Sequence, residues 1–166
     1  MDHAGQTEAF ETVVGGLDYP MFVVTTRAGD RLAGCLVGFA SQTSINPARF
    51  LVGLSKKNHT FRVAMDAQGL VVHVLSPSNL ETAELFGGQT GDEVDKFAKC
   101  HWSDGPMGIP VLADAVGWFS GRVIERFDLG DHMAFLLEPS AGEVRSELGE
   151  LMTFQDVRHL EPGHEA

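Results

Sequence analysis

Four β-rich runs follow one another in the first half of the chain, with only turn residues or one short helical stretch between them. Met21-Phe22-Val23-Val24-Thr25-Thr26 is β-branched and aromatic. Arg27-Ala28-Gly29-Asp30 reads as a turn into a second strand over residues 32–40. Asn46-Pro47 introduces a third strand at 49–54, and the run LVVHVL at 70–75 is apolar enough to be central. A long strand at 115–126, a turn at Leu129-Gly130-Asp131, a sixth strand at 132–138 and a seventh at 151–157 complete the series. No regular helical crossovers separate these runs, which argues against a doubly wound parallel sheet. The order predicts a mainly β fold with α: an antiparallel, Greek-key-like barrel with short helices at its ends.

The helical signals are few. Ala9, Phe10, Val13, Val14 and Leu17 lie on one face of a helix over 6–17, stopped at Gly15-Gly16. A second short run carries Phe61, Val63, Ala64 and Met65. A third is started by Ser76-Pro77-Ser78-Asn79 and closed by Gly87-Gly88. Residues 92–100 read as another short helix, and 103–110 as a Gly/Pro loop. The acids Glu81, Glu84, Asp92, Glu93 and Asp95 read as solvated helix faces. Glycine makes up 19 of 166 residues, above the usual ~7%, with no period of three, so it marks turns and not collagen.

At this length, with no linker or repeat, residues 1–166 read as a single domain. The formal charge of −11 argues against nucleic acid or an anionic membrane surface as partner. Cys35 and Cys100 are far apart in sequence, which predicts a reducing compartment and no disulfide scaffold. The start Met1-Asp2-His3-Ala4-Gly5 lacks a basic and an apolar region, and the uncharged stretch 32–48 is too polar to span a bilayer. The expectation is a soluble, cytoplasmic protein.

Three constellations could carry chemistry. Ser55, Lys56, Lys57, Asn58 and Thr60 stand where a strand gives way to a helix, and two lysines there suit an anion such as a phosphate. The same residues would serve equally as a solvated helix cap. The segment 34–47 holds Gly34 and Gly38 and then Ala40, Ser41, Gln42, Thr43 and Ser44, so one side lacks bulk. Such a strand marks either a bulge or the close approach of a ligand or another backbone. Gly130-Asp131-His132 puts a histidine at a turn, at a pocket rim or simply in solvent. There is no G-x-S-x-G elbow and no G-x-G-x-x-G after a strand, and Cys100-His101 would need two distant ligands to hold a metal, so no metal site is read.

Taken in order, these segments resemble the flavin reductase family, whose fold is the FMN-binding split β-barrel. Gly34 with Ser44-Ile45-Asn46-Pro47, the loop 55–60, Val72-His73-Val74-Leu75-Ser76, Ala83-Glu84-Leu85-Phe86-Gly87, Asp95-Lys96-Phe97, Gly108-Ile109-Pro110-Val111-Leu112 and Gly130-Asp131-His132 are each similar to the family's segment at that place. The family usually has hydroxyl residues where this chain has Leu36 and Phe39, and Asn where it has His73.

The resemblance implies hydride transfer from NADH or NADPH to FMN, with FAD as the alternative flavin, and delivery of reduced flavin to a partner monooxygenase. It implies a phosphate held at Ser55, Lys56, Lys57, Asn58 and Thr60, a flavin ring along Gly38, Phe39, Ala40, Ser41, Gln42, Thr43 and Ser44, and His132 at the nicotinamide. It further implies a homodimer, for which the strand 70–75 and the pair Trp118-Phe119 offer apolar material. Two alternatives are a split-barrel carrier of flavin, deazaflavin or haem without turnover, and an interaction module whose pocket has closed.

Overall fold

The computed structural model describes residues 3–88 and 94–160. Met1, Asp2, and Asp92 and Glu93 of the expected fourth helix, lie outside these residues. Helix α1 (His3–Gly15) ends at the double glycine, as its sequence predicts. Its apolar stripe is left uncovered, with Phe10, Val13 and, just beyond the helix, Leu17 each more than half exposed.

Strands β1 (Phe22–Ala28) and β2 (Arg31–Val37) form the expected hairpin across Gly29, whose φ of 59° favours glycine. A second hairpin joins β3 (Ala40–Ile45) to β4 (Ala48–Ser55) across the cis Asn46-Pro47 bond. Helix α2 (His59–Ala64) follows, and then β5 (Gly69–Val74), β8 (Gly117–Asp128) and β9 (His132–Val144). These seven strands make one sheet, ordered β2-β1-β5-β8-β9-β4-β3, with every neighbour antiparallel. The sheet rolls on itself. Cys35 and Val37 of β2 join Val52 and Leu54 of β4 in one core with Leu70, Val72, Phe135 and Leu137. A second core holds Met21, Leu75, Phe86 and Met152 under α3 (Leu80–Gly87) and α4 (Phe154–Val157).

Four expectations are corrected. Residues 151–157 are not a seventh strand. Thr153 and Asp156 form a reciprocal capping box that starts α4, and the only pairing there is the isolated bridge Pro20–Thr153. The loop 103–110 contains a small ribbon, β6 (Trp102–Asp104) with β7 (Pro110–Leu112), and the described part of 92–100 is a 3-10 turn at Lys96–Ala98. The strand 70–75 offers no interface, because Leu70, Val71, Val72, His73 and Leu75 are all fully buried inside the chain. Among the described residues no helix is long and apolar enough to cross a membrane, and no three metal-ligating side chains converge.

Candidate flavin cleft

Ser55 ends β4 and His132 begins β9, and the antiparallel register sets the two opposite each other. The loop after Ser55 is tied to the turn before His132. Lys56 N–H donates to the Asp131 carbonyl at 2.9 Å, and Lys56 Nζ donates to Asp128 Oδ1 at 2.7 Å. Two segments some 75 positions apart in sequence therefore form one corner of the molecule.

Beside this corner lies a cleft of about 360 Å³. Its polar wall carries Ser55, Asn58, Cys35, Lys96 and His132, and its apolar wall carries Tyr19, Leu36, Phe39, Phe154 and Leu160. The chain has 23 acidic residues, yet no carboxylate lines the cleft among the described residues.

His132 has a side chain only 18% exposed, and its Nδ1 lies 2.8 Å from Asp131 Oδ1. The carboxylate accepts, so Nδ1 carries the proton and Nε2 is left for other contacts. The same hydrogen bond holds the Asp131 carboxyl below its usual value. The Phe39 ring lies across the imidazole, 5.0 Å between centroids and tilted by 50°. Phe39 is 60% exposed, and its Cβ and carbonyl cover Gly53, where a Cβ would sit 3.3 Å from them.

Gly34 in β2 and Gly38 just after it have a reason other than the two weighed from sequence. A Cβ at Gly34 would lie 2.8 Å from the Phe86 ring, and one at Gly38 would lie 2.5 Å from the Tyr19 ring. The chain's own aromatics take that space. Gly38 still lines the cleft beside Phe39, whereas Ala40, Ser41, Gln42, Thr43 and Ser44 run off along the edge strand β3 and do not line it.

In the loop, Asn58 Oδ1 accepts from Thr60 N–H and caps α2, and the thiol of Cys35 is hydrogen-bonded to the side chains of Asn58 and Thr60. Burial raises the Cys35 thiol above its ordinary value. Thr60 is 1% exposed, so it anchors the loop from beneath. Lys57 is exposed at the loop's surface, the ion-paired Lys56 is half-buried, and both lie outside the cleft.

Lys96 is the residue that sequence reasoning passed over. It stood inside a quoted motif, but nothing in the sequence signals that its side chain is buried. It is 4% exposed, and its Nζ donates to the Gly34 carbonyl at 2.9 Å and the Phe86 carbonyl at 3.1 Å. Burial pushes its pKa down. Tyr19 and Phe154, stacked at 5.0 Å, come from opposite ends of the chain and left no local signal.

Residues 14–162 match the family model described as flavin reductase like domain. The chain belongs to that family. Among relatives of this flavin reductase like domain, the high molecular weight rubredoxin of Moorella thermoacetica is 28% identical over 149 residues, 89% of this chain and 65% of the relative. The FMN reductase (NADH) RutF of Acinetobacter baylyi is 27% identical over 134 residues, 81% of this chain and 71% of the relative. The crystal structure of a flavin reductase domain protein from Arthrobacter sp. FB24 shares the fold, with a TM-score of 0.80 at 20% identity over 89% of each chain. The chain thus spans 65% of the rubredoxin's length, and it spans about a quarter of several longer relatives.

Proposed function

We propose that this domain is an NAD(P)H-dependent flavin oxidoreductase that takes FMN, or FAD, in the cleft between Lys96 and His132. The observation that carries this reading is a cleft with one apolar and one polar wall and, among the described residues, no acidic side chain, in a chain of net charge −11. A flat aromatic ring system with polar edges fits such walls, and a phosphate-bearing ligand meets no carboxylate on them. The relative named an FMN reductase (NADH) supports the same activity.

When bound, the flavin supplies the acceptor for the nicotinamide hydride. The chain's own residues do the rest by holding and excluding. Leu36, Phe39, Tyr19 and Phe154 form the wall that keeps water from one side of the cleft. Ser55 offers a hydroxyl at the polar edge, and Lys56 and Lys57 stand outside that edge, where a phosphate would reach them. His132, fixed by Asp131 and Phe39, borders the mouth where the nicotinamide enters. Hydride transfer needs two rings at reacting distance and no strong protein base, so positioning is the contribution asked of these residues.

A homodimer and delivery of reduced flavin to a monooxygenase belong to the same proposal. Val52, Leu54, Phe135 and Leu137 point into the core, so strand alternation turns Leu51, Gly53 and Leu136 outward, with Phe39 and Phe127 beside them. That outward face sets Leu51, Leu136, Phe39 and Phe127 beside the charged Arg49, Arg122, Glu125 and Glu138, and its apolar part supports pairing with a second copy.

The deciding experiment is titration of the purified protein with FMN, FAD and riboflavin by fluorescence quenching, followed by NADH and NADPH oxidation with each flavin. Saturable binding and flavin-dependent oxidation are expected. Protein that binds flavin without oxidising either nucleotide would be a carrier, and protein inert to FMN and NADH together would be an interaction module.

A further inference from the structure

Lys96 is a buried cation that faces the cleft without a carboxylate partner among the described residues. An ammonium has three N–H donors. Two go to the carbonyls of Gly34 and Phe86, and the third side of the nitrogen faces the Phe86 ring, whose centroid lies 5.6 Å away. A neutral amine would turn its lone pair to that electron-rich face, so this set of partners suits the protonated form. Neutral carbonyls orient the charge but do not cancel it. Gly34 is fixed in β2 and Phe86 in α3, so the nitrogen is held between two rigid elements. The cleft wall beside it is a buried thiol and apolar side chains, a medium that screens the charge weakly.

We propose that Lys96 is the positive pole of the cleft and makes it bind the reduced, more electron-rich form of the flavin more tightly than the oxidised form. The proposal rests on the flavin reading above and adds the form that the site prefers. Lys96 acts as a positioning charge through the field in the cleft, and it stays bound to its two carbonyls throughout.

The test is the ratio of two dissociation constants, one for oxidised FMN in air and one for photoreduced FMN under anaerobic conditions. The native protein is expected to favour reduced FMN at least about tenfold, and a tenfold ratio corresponds to about 30 mV in the two-electron potential of the bound flavin. Lys96→Arg keeps the charge and should keep the preference. Lys96→Met and Lys96→Gln remove the charge and should lose it, the ratio falling to near one whatever happens to the constant for oxidised FMN itself. Should Lys96→Met not fold, Lys96→Gln, which keeps two N–H donors for the two carbonyls, carries the comparison. A native ratio near one, or an uncharged variant with the native ratio, overturns the proposal while the flavin reading stands. Failure of the native protein to bind either oxidised FMN or oxidised FAD overturns both.

Discussion

His73 shows how a residue that departs from the family resemblance can leave the site untouched. Its ring is fully buried, with Nδ1 2.9 Å from the Val23 carbonyl and Nε2 accepting from the Leu112 N–H at 3.0 Å. One donor and one acceptor are what an Asn side chain also offers, so either residue can tie β1 to β7 here. The ring must stay neutral to accept from Leu112, and burial pushes its pKa down to about 4. An exposed imidazole has a value near 6.5, so the unfolded chain takes up the proton first. The resulting stabilisation, about 3 kcal/mol, is fully present above about pH 6.5 and is lost as pH falls from there towards 4. Chemical denaturation across that window should therefore show a steeper loss of stability for the native chain than for His73→Asn. His73→Leu should be destabilised by about 2–4 kcal/mol above about pH 6.5, because two buried backbone groups lose their partners, and the deficit against the native chain should shrink as pH falls towards 4. Equal pH slopes for the native chain and His73→Asn would show that His73 does not set the acid limit.

His132 is the second residue whose role is separable. If it borders the nicotinamide, His132→Ala leaves FMN affinity nearly unchanged and slows reduction of bound FMN by about tenfold, or about 1.4 kcal/mol of transition-state stabilisation. Stopped-flow reduction over a range of NADH and NADPH concentrations measures it. Unchanged rates and affinities would remove His132 from the site, and loss of FMN alone would move it to the flavin pocket.

The elements that were legible in the sequence are those whose signal is local. The hairpin at Gly29, the central strand with its apolar run and the helix stop at Gly15-Gly16 were all read from neighbours in sequence. The α4 signal was local as well: Thr153 and Asp156 have capping-box spacing, but the run Leu151, Met152, Phe154, Val157 read as a strand. What the sequence could not convey is pairing between distant elements. The loop 55–60 and the turn 130–132 were each read as candidates, while the ion pair that joins them depends on Asp128, which nothing marked.

That ion pair makes the phosphate-loop reading testable at the level of the two elements. In the ligand-free chain Lys56 is held by Asp128, and the Lys56 ammonium keeps the Asp128 carboxyl below its usual value. A phosphate must share Lys56 with Asp128 or replace it. Lys56→Ala with Lys57→Ala should then weaken FMN by about 1–3 kcal/mol per lost charged contact and leave riboflavin unchanged. Asp128→Asn should do the reverse and strengthen FMN alone. Parallel effects on FMN and riboflavin in either variant would place the phosphate elsewhere.

At the scale of the whole molecule, the sheet is rolled but its edges, β2 and β3, are not paired with each other, and much of its apolar surface is turned outward. Phe39 is 60% and Phe127 44% exposed on the β4–β9–β8 face, and α1 with the residues just beyond it adds Phe10, Val13 and Leu17. Trp118 and Phe119, expected to serve an interface, are half-buried, and Phe119 packs within the core against Phe50. The weight of a dimer contact therefore shifts to the outward face of β4 and β9. A two-fold axis there would set the same patch on both copies, and Phe39 and His132, which share a cleft with Ser55, would lie at its border. Stable homodimers commonly bury ~2,000 Å² or more with an apolar centre, so a charge placed among Phe39, Phe127 and Leu136, inside the rim formed by Arg122, Glu125 and Glu138, should be costly. Light scattering at micromolar concentration should give the mass of two chains for the native protein and of one for Phe127→Glu or Leu136→Glu. Because the cleft would lie beside the contact, both variants should also bind FMN more weakly, although neither residue lines it. A native protein that stays monomeric with FMN bound would show that the cleft is complete within one chain, and the exposed face would then need a different partner.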